Sequence, residues 1–69
     1  MEAKRAIEDA AAPYLISWRP SGYDDVMRVS DGNGVAVEVV VTDNDYLLSV
    51  EEFSERILEP VKREVLARG

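Results

Sequence analysis

Carboxylates are the side chains of this sequence with the greatest capacity for chemistry, and they are distributed unevenly. Residues 24–59 contain ten acids and only two bases, Arg28 and Arg56, which gives this part a net charge of −8. Residues 1–23 are neutral overall and residues 60–69 contribute +2, so the whole chain carries −6. Acids at this density bind metal ions, transfer protons, or form a negative field that attracts cationic partners and repels nucleic acid.

Metal binding is suggested by residues 43–45, Asp-Asn-Asp, which resemble the beginning of a calcium-binding loop. An EF-hand loop needs an oxygen ligand at its fifth position and glycine at its sixth, and these positions hold Leu47 and Leu48. Its twelfth position needs glutamate and holds Ser54. We therefore predict no metal site and no cofactor, and we interpret the segment as a polar connection between a strand and a helix.

Catalysis is suggested by the adjacent pair Asp24 and Asp25. Neighbouring residues of a strand point to opposite faces, so these two carboxylates do not converge on one substrate. The sequence has no histidine to act as a base near neutral pH and no cysteine to act as a nucleophile. Its serines lack an evident activating partner, and we predict that the protein is not an enzyme.

Several acids have a structural explanation that requires no partner. The acids typical of a solvated helix face with a favourable N-terminal end are Glu51, Glu52, Glu55 and Glu59. Asp31 fits a turn, and Glu38 fits a cross-strand ion pair. The acids left without such a role are Asp24, Asp25, Asp43 and Asp45. Two interpretations stay open, because the acids either provide solubility and capping or bind a cationic surface.

The first two elements that position these acids are a helix and a strand. Residues 2–12 are predicted to form a helix that Pro13 ends, because small apolar side chains recur at helical spacing. The ion pairs expected on this helix at i,i+4 spacing are Lys4–Glu8 and Arg5–Asp9. Residues 14–19 are predicted to form a strand whose aromatic side chains, including Trp18, face the core. Residues 20–22, Pro-Ser-Gly, are predicted to be the turn that ends this strand.

Residues 23–30 and 35–42 are predicted to form a β-hairpin around residues 31–34, Asp-Gly-Asn-Gly. We expect a three-residue loop, built as a type I turn followed by Gly34 in the left-handed region. The cross-strand pairs of this register are Val29–Val37, Met27–Val39 and Arg28–Glu38. A two-residue loop would mix polar and apolar side chains on both faces, whereas the buried face normally sets the register.

The last element is predicted to be a helix over residues 49–67. Ser49 and Glu52 have the spacing of a capping box at its beginning. The apolar stripe expected to face the core is Val50, Phe53, Ile57, Val61 and Val65. Pro60 lies inside this helix, and it either kinks the helix or begins a second one.

Together these elements predict an α+β fold, an α-β-β-β-α two-layer sandwich in which a three-stranded antiparallel meander carries both helices on one face. The 69 residues correspond to a single domain, residues 1–69. No helix is left to cover the outer face of the sheet, where Leu15, Val26 and Val40 lie between polar neighbours. A contiguous apolar patch there would suit a homodimer.

The sequence has no apolar run of the length that spans a bilayer, and its first residues lack the apolar region of a signal peptide. The absence of cysteine is consistent with a reducing compartment. We therefore expect a cytoplasmic protein.

Two known families share features with this order of elements. Double-stranded RNA-binding domains have the same order, but they begin their last helix with basic residues where residues 50–52 of this chain are Val-Glu-Glu. The chain is more similar to the small acidic anti-Cas9 (anti-CRISPR) proteins carried by prophages. The similarity lies in the short first helix, in Tyr14, in residues 28–33 (Arg-Val-Ser-Asp-Gly-Asn) and in the last helix over residues 49–58.

This resemblance covers about residues 1–58, and it implies an inhibitor that imitates nucleic-acid phosphates in the basic groove of an effector nuclease. In that family the hairpin tip obstructs a nuclease site, and the matching residues here are Asp31, Gly32 and Asn33. The family also has a further acidic helix, whereas residues 60–69 of this chain are slightly basic. The resemblance therefore implies the strategy rather than one particular target.

We expect a small, non-enzymatic inhibitor that binds the basic surface of a protein partner, such as a CRISPR–Cas nuclease complex. Direct binding to nucleic acid or to a membrane is not expected. The expected partner-binding residues are Asp24, Asp25, Asp31, Gly32, Asn33, Asp43, Asp45, Glu51 and Glu55. The alternative is a homodimeric scaffolding domain that associates through Leu15, Val26 and Val40.

Overall fold

A computed structural model describes residues 3–69 of the protein. Its elements are helix α1 (Ala3–Ala11), strands β1 (Leu15–Ser21), β2 (Asp24–Ser30) and β3 (Ala36–Val41), a 3-10 turn (Asp45–Leu47), helix α2 (Val50–Phe53), a π-helical turn (Ser54–Leu58) and helix α3 (Glu59–Arg68). The last three are continuous, and we call them together the C-terminal helix. The strands form one antiparallel sheet in the order β1-β2-β3, which confirms the predicted α+β architecture. The predicted beginning of the first helix at residue 2 lies outside the described residues.

The core lies between one face of the sheet and both helices. Its buried members are Ile7, Ala11, Met27, Val29, Val41, Phe53, Leu58, Val61 and Val65. Tyr14, Ile16 and Trp18 are partly buried and pack against this cluster. Because side chains of α1, of the sheet and of the C-terminal helix share one cluster, both helices cover the same face.

The β2–β3 pairing has the predicted register. Met27 lies opposite Val39, and Arg28 lies opposite Glu38. This register places Met27, Val29 and their partners in β3 on the helix-covered face, which is the physical reason that burial selects it.

The loop that joins β2 to β3 differs from the prediction in its turn type. It has the expected three residues, because the N–H of Asp31 donates to the carbonyl oxygen of Val35 at 3.1 Å. Gly34 has a positive φ, as predicted, but Gly32 also has one, of +80°. Since Asn33 has a negative φ, the signs match a type II′ turn and the predicted type I turn is wrong.

β1 is longer than predicted at its C-terminal end. Pro20 and the next residue were expected to turn, but they extend the strand opposite Asp25 and Asp24. Proline is tolerated there because β1 is an edge strand, so its missing N–H leaves no gap in the ladder. The turn is instead the two-residue segment Gly22-Tyr23, where Gly22 has a φ of +63°.

The C-terminal helix begins at the predicted cap. The Oγ of Ser49 accepts a hydrogen bond from the N–H of Glu52 at 3.1 Å. This bond satisfies one of the N–H groups that the first turn of a helix leaves free.

Pro60 does not interrupt the C-terminal helix, because a π-helical turn precedes it. The backbone keeps helical dihedrals at Leu58 and Glu59, and the N–H of Glu59 donates to the carbonyl oxygen of Ser54, five residues earlier. A π turn is wider than an α-helical turn, so it gives the proline ring room beside the preceding turn. The open choice between a kink and a second helix is thus resolved by a local change of helix type.

The π turn also changes which side chains of this helix are buried. Leu58 is completely buried, whereas Val50 is exposed and Ile57 is only partly buried. The predicted stripe is therefore wrong at Val50, while Ile57 packs against the core from a partly buried position and the other members are buried. From Phe53 the next buried position lies five residues away, because the π turn contains one residue more than an α-helical turn.

Candidate protein-binding surface

The structure divides the predicted partner-binding residues between two ends of the sheet. Asp24 and Asp25 begin β2, and the end of β3 lies beside them because Asp25 pairs with Val41. We call this end the acidic end, and its carboxylates are Asp24, Asp25, Asp43, Asp45, Glu51 and Glu55. The hairpin tip, residues 31–34, lies at the other end of β2, about 20 Å away for a strand of this length.

Asp25 is the most constrained carboxylate of the acidic end. Its Oδ2 accepts a hydrogen bond from the hydroxyl of Tyr46 at 2.6 Å and lies 3.3 Å from the Nζ of Lys4. The Tyr46 hydrogen bond, assisted by Lys4, holds the pKa of Asp25 below its usual value against the opposing effect of desolvation. Partial burial and then the Asp25 carboxylate raise the pKa of Tyr46. Asp25 thus joins β2 to α1 and to the 3-10 turn.

Trp18 extends this network across the helix-covered face. Its ring centroid lies 6.3 Å from that of Tyr46, and the Nζ of Lys4 lies 5.2 Å from the Trp18 centroid. The Trp18 Nε1–H donates to Glu8 at 2.9 Å. Because Lys4 and Glu8 bind the sheet rather than each other, the i,i+4 ion pair predicted between them is wrong, and α1 is fixed to the sheet instead.

Asp45 is also engaged by the fold. Its Oδ2 accepts hydrogen bonds from the backbone N–H of Thr42 at 2.9 Å and from the Thr42 hydroxyl at 3.1 Å. Its own N–H donates to the Thr42 carbonyl oxygen at 3.0 Å. These bonds close the turn after β3, so the Oδ2 atom of Asp45 serves the fold.

The other carboxylates of the acidic end are unpaired. They are Asp24, Asp43, Glu51 and Glu55. No ion pair or side-chain hydrogen bond joins them to another residue of the part 3–69. Other glutamates of the C-terminal helix are paired within it, Glu52 with Arg56, Glu59 with Lys62 and Glu64 with Arg68. Arg5, which follows Lys4 in α1, also has no ion-pair partner in the described chain, so the predicted Arg5–Asp9 pair is wrong.

The hairpin tip uses its carboxylate differently. The Oδ1 of Asp31 accepts hydrogen bonds from the backbone N–H of Asn33 at 2.7 Å and of Val35 at 3.2 Å. The N–H of Gly32 donates to the Oγ of Ser30 at 3.0 Å. Gly32 and Asn33 are exposed, but they offer backbone and an amide rather than a charge. The structure therefore separates the tip from the acidic end both in place and in chemistry.

Sequence reasoning missed two exposed apolar side chains at the acidic end. Tyr23 in the β1–β2 turn is 99% exposed, and Leu47 in the 3-10 turn is 83% exposed. Gly22 was a usable signal, because glycine favours the first position of a two-residue hairpin loop and thereby places Tyr23 outside the strands. For Leu47 the sequence has no comparable signal, since the equally apolar Leu48 beside it does pack against the core.

The outer face of the sheet carries an ion pair that crosses the central strand. The Nη2 of Arg19 in β1 lies 2.9 Å from the Oε1 of Glu38 in β3, so the pair passes over β2. Val26 lines the same groove and is only 6% exposed, which leaves little of it for a partner. Glu38 lies opposite Arg28 as predicted, and it forms its cross-strand ion pair with Arg19 of β1.

No protein-family model, curated protein or solved structure matches this chain. Within residues 3–69, no group of three or more potential ligand side chains is arranged to hold a metal ion. The helices of that same part are too short or too polar to cross a membrane. The resemblance to anti-Cas9 proteins therefore stays a prediction, and a functional proposal has to rest on the charge and exposure of the side chains.

Proposed function

We propose that the protein is a non-enzymatic inhibitor or adaptor whose acidic end occupies a basic, nucleic-acid-binding surface of a cytoplasmic protein partner. The observation that supports this proposal is the group of unpaired carboxylates at that end, Asp24, Asp43, Glu51 and Glu55. The other two acids of the acidic end are engaged by the fold, as is Asp31 at the hairpin tip.

No ion pair or side-chain hydrogen bond within residues 3–69 holds the unpaired carboxylates, although Glu51 favours the N-terminal end of its helix. Unpaired like charges placed close together repel one another and destabilise the compact state. Of the six carboxylates of the acidic end, only Asp25 has a cationic partner within the described residues, Lys4, so this end keeps a strong negative field over a Debye length, about 8 Å at physiological salt. A groove lined with lysine and arginine complements such a field, whereas free nucleic acid is repelled by it.

The proposed action is competition with nucleic acid for the same groove. Carboxylates accept charge-assisted hydrogen bonds from arginine and lysine, as phosphate oxygens do. An effector nuclease such as a CRISPR–Cas complex has a groove of this kind. In this proposal the acidic end binds the partner. The hairpin tip does not supply charges for binding.

A non-enzymatic role also follows from the side chains available. The chain contains neither histidine nor cysteine. The hydroxyls of Ser30 and Ser49 accept hydrogen bonds from backbone N–H groups and serve the tip and the helix cap. We propose binding rather than catalysis because the hydroxyls that donate to carboxylates in the described chain, those of Thr42 and Tyr46, fix a turn and a contact between elements.

Charge reversal tests the proposed function. The variant Asp43→Lys, Glu55→Lys changes the acidic end, and the variant Asp9→Lys, Glu64→Lys makes the same change in formal charge, from −6 to −2, elsewhere. Wild-type protein used as bait in a cytosolic lysate should capture nucleic-acid-binding proteins that heparin releases. The first variant should lose at least about 90% of this capture and the second should keep most of it. Equal capture by both variants would contradict the proposal.

A homodimeric scaffolding domain is the second candidate. Leu15 and Val40 are each more than half exposed on the outer face of the sheet. The Arg19–Glu38 pair crosses the strand between them, and Val26 is covered, so the apolar area is not continuous. Light scattering on the protein eluting from a size-exclusion column separates the candidates, because a strict monomer excludes the second.

A further inference from the structure

The acidic end presents hydrophobic side chains among its charges. Tyr23 and Leu47 are the two most exposed large hydrophobic residues of the described chain, at 99% and 83%. Neither belongs to the core cluster or packs against it. The β1–β2 turn has a conformational requirement only at Gly22, whose φ is positive, so the turn does not explain a tyrosine at the next position.

A hydrogen bond fixes the two segments that carry these side chains. Leu47 directly follows Tyr46, whose hydroxyl donates to Asp25 at 2.6 Å. Asp25 lies two residues after Tyr23, in the strand that the turn begins. Side chains presented by a fixed backbone lose less conformational entropy on binding than side chains on a mobile loop. The two hydrophobic residues are therefore preorganised for contact.

Unpaired carboxylates flank both hydrophobic residues in the chain. Asp24 directly follows Tyr23, while Asp43 and Glu51 lie four residues before and after Leu47. An aromatic or aliphatic centre with a polar, charged rim is the usual anatomy of a protein–protein interface, and tyrosine is enriched among the residues that dominate binding. A purely electrostatic nucleic-acid mimic would have no use for such a centre.

We propose that Tyr23 and Leu47 are the apolar anchors of the acidic end, and that the partner is a protein whose basic surface contains an apolar recess. This inference rests on the proposed function and specifies its partner. The rim carboxylates repel free nucleic acid and anionic membranes. A basic surface without a recess would leave both anchors in water and gain nothing from them.

Two basic peptides of equal charge test this inference, Lys-Arg-Trp-Lys-Arg and Lys-Arg-Ser-Lys-Arg. Their binding to the full chain is followed by shifts of the backbone amide signals in NMR spectra. Both peptides should shift the amide of Asp24, and only the tryptophan peptide should shift those of Tyr23 and Leu47. The tryptophan peptide should bind at least about fivefold more tightly, the equivalent of about 1 kcal/mol.

The double variant Tyr23→Ser, Leu47→Ser should bind both peptides with the same affinity, because it removes both anchors and keeps the charges. Leu66→Ser is the matched control, since Leu66 is 71% exposed in α3 and lies beside the hairpin tip. It should keep the preference for tryptophan. If wild-type protein binds both peptides tightly and with equal affinity, the inference that Tyr23 and Leu47 are anchors is wrong, while the proposed function stands. If neither peptide binds, the proposed function fails, and the inference fails with it.

Discussion

The two ends of the sheet contain the same kinds of residue in turns and use them in opposite ways. At the hairpin tip, the carboxylate of Asp31 accepts hydrogen bonds from two backbone N–H groups and holds the loop closed. At the acidic end, Asp24 and Asp43 also lie next to turns, but neither carboxylate has an ion pair or side-chain hydrogen bond within residues 3–69. The number of acids in a segment thus says little about the charge that it offers to a partner.

A similar contrast exists inside the acidic end. Asp24 and Asp25 are adjacent in the chain, yet Asp25 is bound by Tyr46 and Lys4 while Asp24 is unpaired. The alternation of side chains along β2 produces this difference, because Asp25 points to the helix-covered face and Asp24 to the outer face. One carboxylate therefore supports the fold and its neighbour remains available for binding.

The largest difference between the two ends is expected from Asp31→Ala. The change removes the acceptor of two backbone N–H groups, so the free energy of unfolding should fall by about 1–2 kcal/mol. Urea denaturation measures this loss, and the affinity for the tryptophan peptide should stay unchanged. Asp31→Asn keeps an acceptor oxygen and should recover most of the stability. If Asp31→Ala weakens peptide binding and leaves the free energy of unfolding unchanged, the roles assigned to the two ends are wrong.

An intermediate effect is expected from Tyr46→Phe, which removes the main cause of the low pKa of Asp25. The pKa of Asp25 should then rise towards its ordinary value of about 3.9. A carboxyl whose pKa is lower in the folded state contributes stability above its unfolded pKa and loses this contribution as the pH falls through the folded pKa. The variant should thus be less stable than wild type at pH 7, and the difference should narrow on acidification.

NMR titration of the Asp25 carboxyl and urea denaturation at two pH values check this expectation. Tyr14→Phe is a control of the same chemistry, since Tyr14 lies outside the Asp25 network. An unchanged Asp25 pKa in Tyr46→Phe would show that Lys4 alone maintains it.

The smallest effect on stability is expected from Asp24→Ala. The free energy of unfolding should change by less than about 0.5 kcal/mol, because no partner is lost. The affinity for both basic peptides should fall about two- to fivefold, with a weaker dependence on salt. The two variants should thus have opposite effects, because Asp24→Ala weakens binding and Asp31→Ala lowers stability. A stability loss in Asp24→Ala as large as that in Asp31→Ala would remove the contrast.

The parts of the fold that follow local rules were predictable from the sequence. The register of β2 and β3 follows from the period-two alternation of apolar residues, which allows only one buried face. The cap at Ser49 follows from a four-residue motif. The order of elements and the common core face follow from the same patterns.

The parts that depend on distant residues were not predictable in this way. The extension of β1 through Pro20 requires knowledge that β1 lies at the edge of the sheet. The Arg19–Glu38 ion pair joins residues of two strands that are not adjacent. For the candidate site, the sequence identified the carboxylates, but only the distant partners Tyr46 and Lys4 show that Asp25 is engaged. The engagement of Asp45 is local, since its partner Thr42 lies three residues earlier.

The π turn in the C-terminal helix has a consequence for chain length. The buried residues Phe53, Leu58 and Val61 are separated by five and then three residues. If the one additional residue of the π turn is left out, the separations become four and three, which is the ordinary spacing of one face of an α-helix. The π turn is therefore equivalent to a one-residue insertion that leaves the buried face of the helix unchanged. A protein shortened by one residue within 54–57, with Pro60 replaced by alanine, should keep the same buried face on a regular α-helix.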